Sequence, residues 1–372
     1  MMKRLPRLLL VALLFSAGFH LGRAQVTNSL SIANGGGQTV LFWPASLTNF
    51  VVQRASSPNS ATWVTVTNAV AVTAVSLPAA LSAGYYRLYM NTNIPAGTVI
   101  IPAGLYEMGN TVGDADIASY GDSSPVSVTV SNFYMDANLV SYGQWQLVYN
   151  WATAHGYGFV DAGSGKGTNY PVDAVDWCDA VKWSNARSQQ AGLTPVYFTD
   201  AGLTQVYTNG EMAPYANWTA KGYRLPTEAE WEVAARGGLT GQRFPNGDTV
   251  SCLVDGNYNG YPANLTYDVG SAGENVLFTS GLSPYTSPVG FYPVNGFGLH
   301  DMVGNAKEWC WDWYGYPYAG GVNPRGMATG TDRVLRGGDW SQSAAQARTA
   351  YRDYEPPNTA STFIGFRCSK NF

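Results

Sequence analysis

Thiol and imidazole chemistry has few residues to draw on in this chain. Beyond residue 24 there are four cysteines, Cys178, Cys252, Cys310 and Cys368, and two histidines, His155 and His300. No two cysteines form a CxxC pair, so neither zinc-finger spacing nor a thioredoxin-like redox motif is present. Two histidines fall short of a three-histidine metal site. In an oxidising compartment four cysteines permit up to two disulfides, in three connectivities. Carboxylates are better placed. In Asp301-Met302-Val303-Gly304-Asn305-Ala306-Lys307-Glu308 two of them flank one tight Gly-Asn turn, an arrangement that either offers oxygens to a hard cation such as calcium or caps backbone amides.

These groups must be held by a chain of unusual texture. Charged residues occupy 12% of its 372 positions, about half the roughly 25% of ordinary globular proteins. Aromatic residues occupy 13%, apolar residues 45%, and glycine occurs 42 times. This fits a loop-rich fold with an aromatic core and excludes a disordered polyelectrolyte. Net charge is −4 and no Lys/Arg run occurs after residue 7, so the basic footprint of a nucleic-acid binder is missing.

Three helices are legible. Ser141 to Ala154 begins on a Ser N-cap and puts Trp145, Val148, Trp151 and Ala152 on one stripe. Trp177 to Gln190 repeats the pattern and ends at Gly192, a C-cap residue. Thr227 and Glu230 make a T-x-x-E capping box behind Pro226, and Gly237-Gly238 stops that helix after Arg236. Trp309, Trp311 and Trp313 alternate with Cys310 and Asp312, as in a strand that buries a tryptophan face. Most of Asp248 to Phe372 is otherwise irregular, and so long a stretch needs aromatic packing, disulfides or bound metal to order it.

Upstream, residues 25–95 carry short β-forming runs, Val40 to Trp43, Phe50 to Gln53, Trp63 to Val66 and Tyr85 to Leu88, separated by Gly, Pro, Asn and Ser. They predict a small all-β sandwich, similar to the fibronectin-like modules of secreted bacterial proteins. Residues 91–97 read as a linker. Before the module, a basic start (Lys3, Arg4, Arg7), an apolar stretch from Leu8 to about Phe19, and Gly22-Arg23-Ala24 read as a secretory signal peptide over residues 1–24. The apolar stretch is too short to span a bilayer. Cleavage near Ala24 removes four of 21 basic residues against 25 acidic ones and leaves the mature chain at −8. The expected location is therefore secreted, periplasmic or on the cell surface.

From about Thr98 to Phe372 the motifs Met108-Gly109, VDWCDAVKWSNAR (175–187), GYRLPTEAEWEVAARGG (222–238), PVNGFGLHDMVGNAKEW (293–309), RVLRGGDW (333–340) and GFRC (365–368) occur in order. This succession resembles the formylglycine-generating enzyme, or sulfatase-modifying factor, family. The resemblance implies an α+β, C-type-lectin-like fold for residues 98–372, with helices packed on a small antiparallel core and much irregular structure held by calcium. It also implies a copper oxidase, in which two closely spaced cysteines after the GG-S-W turn hold Cu(I) for oxidation of a sulfatase cysteine by molecular oxygen. Cu(I) requires soft thiolates. Here GGDWSQSAAQARTAYR (337–352) contains no cysteine: the first position falls near Ser341 or Gln342, Ala344 stands at the second, and Asp339 replaces the usual serine. No catalytic residue is assigned and copper is not supported. The iron-dependent sulfoxide synthases of the same superfamily need more histidines than this chain has.

The resemblance carries a calcium site more directly. Asp301 and Glu308 are its carboxylate ligands and Gly304 and Ala306 its carbonyl ligands, together half a shell or more for an ion that takes six to eight oxygens. Lys307 replaces a common aromatic. A second site keeps Asn257-Tyr258, but its aspartate aligns with Gly281, leaving Asp268 or Glu274 to compensate. The family cysteine of the second helix aligns with Ser184, leaving Cys368 without its partner, and the other family pair aligns with Ala235 and Thr349. A shifted Cys178–Cys368 bridge and free buried thiols both stay open. The expectation is a secreted, calcium-stabilised binding or structural protein with a protein or glycan ligand; the alternative is an oxidoreductase of the formylglycine-generating type, or a nonheme metal enzyme with a divergent site.

Overall fold

The computed structural model describes strand residues 31–35, 38–42, 50–55, 64–67, 74–77 and 85–90, and residues 94–113 and 124–372 throughout. The leader expected over residues 1–24 lies outside these. The chain divides into two compact units, one of residues 1–95 with 100–102, the other of residues 96–99 with 103–372. Among the described residues of the first unit, six strands pair antiparallel in two sheets of three. One holds Ser31–Gly35, Gln38–Phe42 and Ala74–Leu77; the other holds Val64–Thr67, Phe50–Ala55 and Tyr85–Met90. Four of the six coincide with the β-forming runs. Ser31–Gly35 and Ala74–Leu77 are made of smaller residues and gave no such signal.

The second unit is built around three helices: α1 (Tyr142–Ala154), α2 (Trp177–Gln190) and α3 (Glu228–Arg236). Each starts on the side chain that local chemistry favours. The Ser141 hydroxyl, an Asp176 carboxylate oxygen and the Thr227 hydroxyl each accept the backbone N–H three residues on. In α3 the Glu230 carboxylate also takes the Thr227 N–H, completing the capping box. Gly237 ends α3 at φ 58°, where a side chain would be strained.

Helices α1 and α2 pack through Trp145 and Trp183, stacked at 5.8 Å with Phe366 edge-on to both. Each of these indole N–H groups finds a carbonyl, Trp145 on Ala162 and Trp183 on Trp145, so the rings enter the core without an orphan donor. Trp151, read as part of the same stripe, is only half-buried and stacks on His155.

The central sheet runs Asp353–Glu355, Arg333–Arg336, Lys307–Trp313 and Ile364–Gly365, the last pairing parallel with Lys307–Glu308. The alternation of tryptophans correctly marks a strand, but not a strand with one wet face. Trp309, Cys310 and Asp312 are buried, whereas Trp311 and Trp313 are half-buried. Asp312 is retained inside because it accepts the Glu228 N–H at the start of α3. Burial and the neighbouring Glu228 hold its carboxyl well above the usual range.

The staple that orders the irregular C-terminal half is not a disulfide: all four cysteines are free and buried. Helix α3 instead presents three glutamates to arginines. Glu228 is gripped by Arg352 through two 2.7 Å bonds, Glu230 by Arg224 at 2.6 and 2.7 Å, and Glu232 by Arg236 and Arg336. Tyr318 and the Gly109 N–H complete the shell of Glu232. Fully buried charges persist only when paired and hydrogen-bonded in this way.

Candidate functional site

The acidic turn opens with two non-glycine residues in the left-handed region, Asp301 at φ 56° and Asn305 at φ 69°, conformations that Asn and Asp tolerate best. Between them Gly304 is obligatory, since a Cβ there would collide with the Asn257 carbonyl oxygen. The Asn305 N–H donates back to that oxygen at 2.7 Å and its side-chain oxygen takes the Ser287 N–H, so three segments converge on the turn.

The expected ligands divide. Asp301 is buried; Oδ2 accepts the Gly290 N–H at 2.6 Å, whereas Oδ1 has no partner. Burial pushes its carboxyl up to about 6, against the pull of that N–H, Arg367 and His300. An orphaned carboxylate oxygen in a buried turn fits a cation ligand. Glu308 offers no free oxygen: Arg367 holds both at 2.7 Å and Trp231 adds an N–H at 2.9 Å. Asn257 uses its amide N–H on the Tyr285 carbonyl at 2.8 Å. The residues present thus give calcium one open carboxylate oxygen at Asp301 and leave Glu308 committed to an internal cation.

At the second expected position, Asp268 is buried and accepts from Tyr258 Oη at 2.8 Å, Tyr261 N and Gly270 N. It closes its own loop. Both histidines are structural: His300 bonds the Tyr292 carbonyl, and His155 stacks on Trp151.

Among the described residues, Asp161, Asp176 and Asp179 gather as a carboxylate group that sequence spacing did not flag. An internal ammonium already serves it. Lys182 Nζ lies 2.7 Å from Asp179 and 2.8 Å from Glu211. The signal available was Asp179 and Lys182, three apart on one helix face.

The stretch where the copper thiolates were sought forms a different kind of surface. Ser341 donates to Asp339 through Oγ and N at 2.7 and 2.8 Å. Lys307 reaches Asp353 at 3.0 Å and Asp339 at 3.8 Å, and Gln342 Nε2 donates weakly to Asp353. Trp340 stacks on Phe363 at 5.1 Å with Tyr285 edge-on. Two buried polar atoms here lack partners among the described residues, Trp340 Nε1 and Gln342 Oε1. One is a donor and the other an acceptor. Ala344 is fully buried. Thiols are elsewhere: burial pushes Cys178 and Cys368 up to about 12 and Cys310 well above the thiol range. Sequence reading located this stretch by what it lacked and gave no sign of the orphaned indole and amide.

Residues 89–372 match the family described as "Sulfatase-modifying factor enzyme 1-like domain". The formylglycine-generating enzyme of Bos taurus is 32% identical over 294 residues, covering 74% of this chain and 75% of that protein. The chaperone protein LppX of Paenibacillus barcinonensis is 32% identical over 275 residues, covering 70% and 84%. Among solved structures, Treponema denticola variable protein 1 superposes with a TM-score of 0.56 at 26% identity, covering 74% of this chain and 95% of that one. CarF superposes with a TM-score of 0.55 at 28% identity, covering 75% and 99%. These neighbours have the C-type-lectin-like fold expected from the motifs. With three quarters of its length matched in sequence and in fold, the chain belongs to the sulfatase-modifying factor family, that of the formylglycine-generating enzymes.

Proposed function

We propose that this protein is a secreted, calcium-stabilised member of its family that binds a protein or glycan ligand instead of oxidising a cysteine. One observation carries the reading: residues 337–352, flanked by the Lys307–Asp353 pair, hold hydroxyls, amides and an indole where Cu(I) would need two thiolates. Each free thiol is buried elsewhere. The same surface has the features of a recognition face. Trp340 Nε1 and Gln342 Oε1 are buried and unpaired beneath half-buried Phe363 and Tyr285, and a ligand that opens this stretch and pairs with both recovers hydrogen bonds that are costly to leave unmade. The similarity to LppX, whose name describes a chaperone, agrees with protein binding within the family. No helix among the described residues is long and apolar enough to cross a membrane.

In the calcium part of the proposal, Asp301 supplies the open carboxylate oxygen, and the Gly304 and Ala306 carbonyls are the further ligands that the family resemblance assigns; an ion there would order the turn from which Lys307 enters the site. The test separates binding from oxidation. The purified chain is incubated with Cu(I), oxygen and a CxPxR peptide, and in parallel applied to glycan and peptidoglycan arrays. Peptide binding or glycan retention without aldehyde formation supports the proposal. Formylglycine production, or tight Cu(I) binding with thiolate character, overturns it.

A further inference from the structure

On another part of the second unit lies a pocket of about 270 Å3 whose walls include Trp218, Arg224, Glu230, Asn323 and Arg325. Its two arginines are placed differently. Arg224 is buried and spends its guanidinium on Glu230, Ser369 and Asn371. Arg325 has no carboxylate partner among the described residues and rests on the Trp218 ring, 4.3 Å from its centroid. Burial and the neighbouring Arg224 hold its guanidinium below the usual range, Glu230 pulling the other way. Arg224 and Glu230 offset one another, which leaves Arg325 as the guanidinium of this pocket that no carboxylate among the described residues pairs with.

The segment that carries Arg325 is fixed. Asn323 donates its N–H to the Thr129 carbonyl at 2.7 Å, accepts the Ser131 N–H at 2.8 Å and donates to the Ser131 hydroxyl at 3.1 Å. Pro324 then restricts the approach to Arg325. Under the guanidinium, Trp218 is half-buried and braced edge-on against Trp311 at 5.5 Å. An unpaired guanidinium held in place beside a braced indole is preorganised for a planar anion, because it loses little side-chain freedom on binding.

We propose that this pocket binds a carboxylate-bearing saccharide unit of the hexuronate type. The guanidinium fork of Arg325 matches a carboxylate with two parallel hydrogen bonds, the Trp218 ring on which it rests backs the guanidinium, and Asn and Ser side chains line the pocket for hydroxyl groups. Glu230 in the wall disfavours a phosphate dianion. The site is separate from the surface at residues 337–352 and stands whether or not that surface binds a ligand.

Isothermal titration of the purified chain with a galacturonate or glucuronate oligosaccharide tests the assignment, with the corresponding neutral oligosaccharide and inorganic phosphate as controls. The expected result is uronate binding that weakens tenfold or more in Arg325→Ala and in Trp218→Leu, with neither control competing. Arg325 is exposed, so its alanine variant keeps the fold, which an unchanged circular dichroism melt verifies. Absence of uronate binding up to about 10 mM, equal affinity in Arg325→Ala, or phosphate binding as tight as uronate would each overturn the proposal.

Discussion

Arg367 grips Glu308 with two hydrogen bonds of 2.7 Å, from Nε and Nη2, and both side chains are almost completely buried. The pair joins the acidic turn to the last strand region, and Arg367 goes on to the carbonyls of Asp136, Ala137 and His300. Removing one partner of a buried pair leaves an uncompensated charge, whereas removing both with apolar residues of similar size is often tolerated. Glu308→Gln is therefore expected to lower stability by about 3 kcal/mol. Glu308→Gln with Arg367→Met should recover part of that loss, measured as denaturant midpoints at constant m-value. Equal midpoints for Glu308→Gln and the native chain would refute the clamp.

Calcium is to be tested at Asp301, whose Oδ1 lacks a partner. A ligand that binds only the folded state raises the melting temperature by mass action. Chelator should lower the melting temperature of the native chain and leave that of Asp301→Ala unmoved. The comparison must be of chelator-induced shifts, because alanine at φ 56° is itself strained.

Asp173 gives a pH signature independent of metal. It is fully buried, accepts the Ser164 hydroxyl at Oδ1 and leaves Oδ2 unpaired. Burial pushes its carboxyl up to about 6. The folded chain therefore keeps a proton that the unfolded chain releases near pH 4, and the stability from this group, complete below that, is lost as pH rises to 6. Asp173→Asn cannot titrate. Its stability relative to the native chain should climb by up to about 3 kcal/mol between pH 4 and 6, read from urea titrations at several pH values. A constant difference would show that Asp173 is not held protonated.

Ser184 Oγ lies 3.4 Å from Cys368 Sγ, so the two positions that the family resemblance pairs as a disulfide face each other. Ser184→Cys should oxidise to a bridge with Cys368 and stabilise the chain by about 3 kcal/mol, seen as a mobility shift and a higher melting temperature without reductant. Non-reducing peptide mapping of the native chain should find four free thiols.

Local signals carried far in this chain. Ser141 and the Thr227–Glu230 box start their helices because each is a contact over three residues, which sequence displays directly, whereas Asp176, the cap of α2, went unread. The family motifs carried the fold of residues 98–372 by resemblance, since the irregular half has no periodicity to read. What escaped was long-range. Glu228 and Glu232 look like an ordinary solvated helix face until Arg352 and Arg336 arrive from more than a hundred residues away. The pocket at Arg325 escaped for the same reason: Trp218 and Arg325 are far apart in sequence and neither belongs to a local motif.

The glutamate-bearing helix has a temporal consequence. Glu228 is synthesised 124 residues before Arg352, an interval of roughly 6–25 s at ordinary translation rates. Throughout it the helix can cap itself but cannot bury its charged face, so the domain's interior closes only when its last quarter is available. Truncation within residues 340–372 is expected to release the whole second unit to proteolysis and not merely fray its end.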